Sequence, residues 1–120
     1  MAQGVGATHP IIGIQQTFGG MFWSPLDISG SASYVQGGDA VSPQSFGFNS
    51  YIWSLTGAVD QSDKWRVEPR ALSNGFTQWQ LVWISLTTGT VGGQNQTAGM
   101  EAAAGTNLST FTVRVAAIGQ

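Results

Sequence analysis

The apolar positions of this chain recur every second residue far more often than every third or fourth. The clearest case runs from Leu108 to Ile118. Phe111, Val113, Val115 and Ala117 fall on one face and Thr110, Thr112, Arg114 and Ala116 on the other, the period of a half-buried strand. Lys64 to Leu72 repeats it, with Trp65 and Val67 against Lys64, Arg66 and Glu68, until Pro69 is expected to interrupt the ladder. Phe76 to Leu86 begins with Trp79, Leu81 and Trp83 against Gln78 and Gln80 and becomes apolar on both faces at Val82-Trp83-Ile84. Phe46, Phe48, Tyr51, Ile52, Trp53 and Leu55 predict a strand buried on both faces that ends at Thr56-Gly57. Ile11 to Phe22 predicts an extended segment bent at Gly19-Gly20. Trp23-Ser24-Pro25 is expected to break pairing, and Leu26-Asp27-Ile28 leads into a weak polar strand through Ala32 and Tyr34.

Turn signals separate these runs. Asn74-Gly75 within Ser73-Asn74-Gly75 supplies the positive φ values of a tight hairpin and predicts that the Trp65 strand pairs with the next one. Asp60 to Asp63 reads as a polar loop, and 87–99, with Gly92-Gly93, as a long loop with a short strand near Val91. Glu101 to Ala104 has helical propensity but is too short to hold a helix alone.

The stretch Tyr34 to Phe48 organises the whole. Gly37 and Gly38 turn the chain, Asp39 bonds local backbone, Ser42 caps and Pro43 opens a single helical turn, and Gly47 follows as the next strand starts at Phe46. These features predict an all-β fold, an antiparallel β-sandwich or jelly-roll-like domain of about six to eight strands. Residues 9–120 form the single domain. Residues 1–8 are expected to form a flexible Gly-rich arm that orders only when something binds it, or a frayed terminus.

Composition sharpens this picture. Charged residues make up only 8% of the 120 residues, against about 25% in ordinary soluble domains, so the surface must be built from Ser, Thr, Gln, Asn and Gly with apolar groups left over. Such a surface favours association with copies of itself or with a partner. The four basic residues, Lys64, Arg66, Arg70 and Arg114, cannot build an electropositive stripe, which argues against direct nucleic-acid binding. No cysteine is present, and the first residues show neither a basic start nor an apolar run, so neither a signal peptide nor a membrane span is expected.

Candidate chemistry is sparse. His9 is the only histidine and has no evident metal or relay partners, so neither a metal site nor a cofactor is expected. Among the carboxylates, Asp39 is assigned to the turn, Asp60 and Asp63 to a loop, and Glu68 to Arg66 or Arg70. No nucleophile elbow or dinucleotide fingerprint occurs, and an enzyme is not expected. The five tryptophans admit two readings, core filling or aromatic contact. Trp53 and Trp83 are assigned to the core, while Trp23, beside Ser-Pro, and Trp79, between glutamines, are candidates for an interface.

Tyr34-x-x-Gly37-Gly38-Asp39, followed by Val41-Ser42-Pro43 and Phe46-Gly47-Phe48, forms one block. Glu101-Ala102-Ala103-Ala104-Gly105-Thr106-Asn107-Leu108-Ser109, running into Thr112 to Gly119, forms a second. Together they resemble a group of small structural proteins of tailed bacteriophages. Asn107 stands where that pattern has aspartate, and the N-terminal third carries no matching motif. The resemblance implies a capsid decoration or cement protein that binds the phage major capsid protein on the outside of the shell, after synthesis in the host cytoplasm. It also implies a small cyclic homo-oligomer, a trimer being favoured. Under it, the arm with Gly4, Val5 and His9 and the loop at Phe22 and Trp23 are expected contacts. A head-fibre or tail component and a carbohydrate-binding module with Trp79 as platform are the alternatives.

Overall fold

The computed structural model describes residues 16–18, 21–72 and 76–120, the first three by backbone alone. The described residues are all-β with one 3₁₀ turn, and ten strands follow in order. They are β1 (Gln16–Phe18), β2 (Met21–Ser29), β3 (Asp39–Val41), β4 (Ile52–Leu55), β5 (Ala58–Val59), β6 (Trp65–Ala71), β7 (Trp79–Ser85), β8 (Gly89–Val91), β9 (Gln94–Gln96) and β10 (Thr112–Gly119). Two antiparallel four-stranded sheets, in the orders β1-β2-β10-β4 and β3-β7-β6-β5, supply the eight main strands; β8 and β9 form a separate ribbon.

The period-two pattern explains the sandwich-like arrangement. Leu26 and Ile28 on β2, with Val113, Val115 and Ala117 on β10, turn inward from the first sheet. Val41, Trp65, Val67, Leu81 and Trp83 turn inward from the second, and all belong to one buried cluster. Trp65 meets Trp83 edge-on at 6.3 Å and Phe111 at 5.9 Å, filling the middle of the core. The pairs β2–β10, β3–β7 and β5–β6 are nested one within the next, as in a jelly roll.

Several local expectations are corrected. Trp23-Ser24-Pro25 does not break pairing: β2 pairs with β10 without interruption from Phe22 to Ser29. Ala116, opposite Pro25, directs its N–H and C=O to Thr56 on the other side, so the position lacking an N–H faces away from β10 and costs the ladder nothing. Pro69 likewise stays in β6, opposite Leu81. It shares its edge direction with Trp65, whose carbonyl accepts from Asp60 N, and by Pro69 the two-residue β5 has already ended.

The polar strand through Ala32 and Tyr34 is absent; β2 stops at Ser29 and the chain is irregular until β3. Phe46 closes the 3₁₀ turn Pro43–Phe46 instead of opening a strand, which begins only at Ile52. Gly92-Gly93, assigned to a loop, is the tight turn of the β8–β9 hairpin, with φ of +66° and +82°. Trp53 is exposed, not core, because the β4–β10 register shifts between Ile118 and Gly119. That bulge leaves Trp53 and its neighbour Ser54 both facing solvent. Gly19-Gly20 and Asn74-Gly75 lie outside the described residues, although the pairing of β6 with β7 that the latter predicts is present over Trp65–Ala71.

Candidate functional site

Two features stand out, and the first is a clasp between the blocks at 34–48 and 101–109. Glu101 Oε2 accepts from the Tyr34 hydroxyl and from Gly37 N, each at 2.6 Å. Tyr34 N donates to Thr106 O at 2.9 Å, Gly105 N to Tyr34 O at 2.8 Å, and Gln36 Nε2 to Ala102 O at 3.3 Å. The Tyr34 oxygen in turn accepts from Trp83 N, which ties the clasp to the middle of β7. Burial and the hydrogen bond to Glu101 push the Tyr34 hydroxyl well above the ordinary tyrosine range, so it stays protonated and keeps donating.

The residues assigned to the turn take their places around this clasp. Gly37 and Gly38 have φ of +107° and +117°, open only to glycine. Asp39 reaches farther than its own turn: it is buried at the start of β3, and its Oδ2 accepts from Ser31 N at 3.3 Å. Burial pushes the Asp39 carboxyl up, and the Ser31 contact opposes this. The Ser31 hydroxyl and Trp83 indole also pull it down, although neither makes a hydrogen bond of standard geometry. Ser42 caps the turn that Pro43 opens, Ser42 N donating to Ser45 Oγ, and Gly47 ends it at φ +80°. These residues build the turn and tie it to the core.

The second feature is an exposed aromatic surface at one end of the first sheet. Trp23 pairs with Ile118 of β10, which pairs with Ser54 of β4 on its other side, while Phe22, one residue earlier on β2, faces the opposite side of the sheet, across from Gly119. On β4, Trp53 packs against Tyr51 at 5.3 Å and Phe76 at 4.8 Å, and its indole N–H donates to Gln120 Oε1 at 3.3 Å. Phe22, Trp23, Tyr51, Trp53 and Phe76 remain 36, 38, 39, 39 and 54% exposed. The rings of the Tyr51-Trp53-Phe76 group are tilted by 41° and 57°, so they form a contoured knob and not a flat platform for a sugar ring.

Phe22 and Trp23 are exposed, but they lie in β2 and not in a loop. Trp79 is half-buried, packs on the core and donates its indole N–H to Ile52 O. The arm with Gly4, Val5 and His9 lies outside the described residues. Sequence reasoning missed Tyr51, Trp53 and Phe76. Two of the three follow polar or glycine turn residues, a weak signal for exposure; the third is turned outward by the bulge.

Two further carboxylates are committed to local contacts. Asp60 lines a cleft of about 290 Å³ with Lys64, Thr110 and Phe111. Its carboxylate accepts from Ser62 N and Oγ, Lys64 N and Trp65 N, which commits it to the loop. Glu68 pairs with Arg66 at 2.8 Å. Among the described residues no cluster of acidic or histidine side chains is placed to hold a metal ion, and no helix is long and apolar enough to cross a membrane. Comparison with family models, curated proteins and solved structures returns no match.

Proposed function

We propose that the chain is a non-enzymatic virion structural protein, a decoration or cement protein that binds the outer surface of a tailed-bacteriophage shell and stabilises the major capsid protein lattice. The observation that carries this reading is the clasp. In the two blocks that resemble phage structural proteins, Tyr34 and Gly37 lie 67 and 64 positions from Glu101, yet the three meet in one hydrogen-bonded unit. The low charge and the exposed rings also suit a protein whose surface is covered in use.

Mechanically, such a protein acts by mass action. It binds the assembled lattice and not separated capsomers, so each bound copy shifts the equilibrium toward the shell. A cyclic oligomer, with a trimer favoured, multiplies the effect by holding several contacts at once. The test is co-sedimentation of the purified protein with expanded heads assembled without it. Saturable binding with a raised head-disruption temperature is expected. Protein left wholly in the supernatant at saturating concentration overturns the reading.

A further inference from the structure

Two carboxylates are buried among the described residues, and they are held very differently. Asp60, 2% exposed, accepts four hydrogen bonds at 2.5–3.0 Å, from Ser62 N and Oγ, Lys64 N and Trp65 N. Asp39, 6% exposed, accepts from Ser31 N at 3.3 Å. The two other donors beside it, the Ser31 hydroxyl and the Trp83 indole N–H, are buried without hydrogen-bond geometry toward it and without another partner among the described residues. A buried anion needs donors aligned on it. Asp60 has them, and an ionised Asp39 does not.

No opposite charge makes up the deficit. All four lysine and arginine side chains are exposed, and Arg66 and Arg114 are paired with Glu68 and Asp27. The titratable groups on the elements packed around Asp39 are the Tyr34 hydroxyl and Glu101, which are bonded to each other. Burial pushes the Asp39 carboxyl up, in keeping with this geometry. The strand that carries it is also lightly held. β3 is three residues long, lies at the edge of its sheet and pairs with β7 alone. Of its side chains Asp39 and Val41 are buried and Ala40 is exposed, so a carboxyl is one of the two groups that seat it. Gly37 and Gly38, with φ of +107° and +117°, form a glycine hinge at its start.

We infer that Asp39 is a proton-set latch on β3: with the carboxyl protonated the strand stays on β7, and with it ionised the strand opens at Gly37-Gly38 far more often, baring the β7 edge from Trp79 to Leu81. The neutral carboxyl loses little by burial, whereas the carboxylate regains its water in the open form. The closed form therefore holds the proton more tightly. The latch is complete below the ordinary carboxylate range and weakens as pH rises through the value of the closed form. It stands apart from the capsid reading and belongs to the single chain.

The experiment is amide hydrogen exchange of the full chain from about pH 4 to 8, each rate corrected for the intrinsic pH dependence of exchange. The amides that β3 and β7 share should open more easily than those of Val113 and Val115 in β10. Their opening constant should rise with pH, by at most about tenfold per unit, the limit for one proton. In Asp39→Asn, which stays neutral, that rise should vanish. If that variant does not fold, the wild-type series decides alone. Shared amides that open no more easily than those of β10 overturn the latch, as does a wild-type opening constant that is the same at both ends of the range. A folded Asp39→Asn that keeps the wild-type rise also overturns it and assigns the proton to Glu101.

Discussion

Gly119 ends β10 with no room for a side chain: a Cβ there would come within 2.1 Å of Tyr51 O and 2.6 Å of the Phe48 ring. Gly119→Ala is therefore expected to cost at least about 1–3 kcal/mol, read as a lowered urea midpoint. Tyr34 acts through its hydroxyl, which donates to Glu101 and accepts from the buried Trp83 N–H. Tyr34→Phe keeps the ring and strands that N–H, an expected loss of about 1–3 kcal/mol by the same measurement. Asp39 carries a pH signature. Its carboxyl is raised in the folded state, so the folded chain holds that proton more tightly than the unfolded one. Its stabilising contribution is complete below the unfolded carboxylate range and is lost as pH rises through the folded value. Wild type should therefore gain stability relative to Asp39→Asn as pH falls from neutrality through that range; an unchanged difference between paired urea titrations would refute this.

At the level of elements, the β8–β9 hairpin separates two effects at adjacent glycines. Gly92 and Gly93 both have positive φ, but a Cβ on Gly92 meets Thr106 Cγ2 at 2.6 Å and Asn107 O at 2.7 Å, while one on Gly93 meets nothing within 4 Å. Gly93→Ala should cost only the left-handed backbone penalty of about 1–2 kcal/mol, and Gly92→Ala clearly more, by thermal melts of the two variants. The ribbon is packed because Gln96, buried behind it, donates to Thr106 Oγ1 and accepts from Ala103 N. The prolines were the least legible signals. Pro25 and Pro69 look like strand breakers along the chain, but each points its missing N–H away from a neighbouring strand that needs it, and only pairing decides that direction.

For the molecule as a whole, scarcity of charge is the governing property. A contact made through the exposed rings of Trp53 and Phe76 should respond little to NaCl between about 0.05 and 0.5 M and strengthen in sulfate. Sedimentation at several ionic strengths checks this, and a steep fall with NaCl would point to an ionic contact instead. The Asp27–Arg114 pair is exposed and contributes little to stability, so folding rests on the shared core of the two sheets.

The sequence by itself determined the all-β class, the inward residues of β6, β7 and β10, the glycine turn at Gly37-Gly38 and the helical turn that Pro43 opens, because each follows from a period or a backbone preference acting within a few residues. Tertiary structure decided the rest. That Glu101 closes on Tyr34, that a register shift turns Trp53 outward, and that Trp53 meets Phe76 all depend on which strands become neighbours. Such neighbours are set by burial of the core across the whole chain, and no local pattern carries that information.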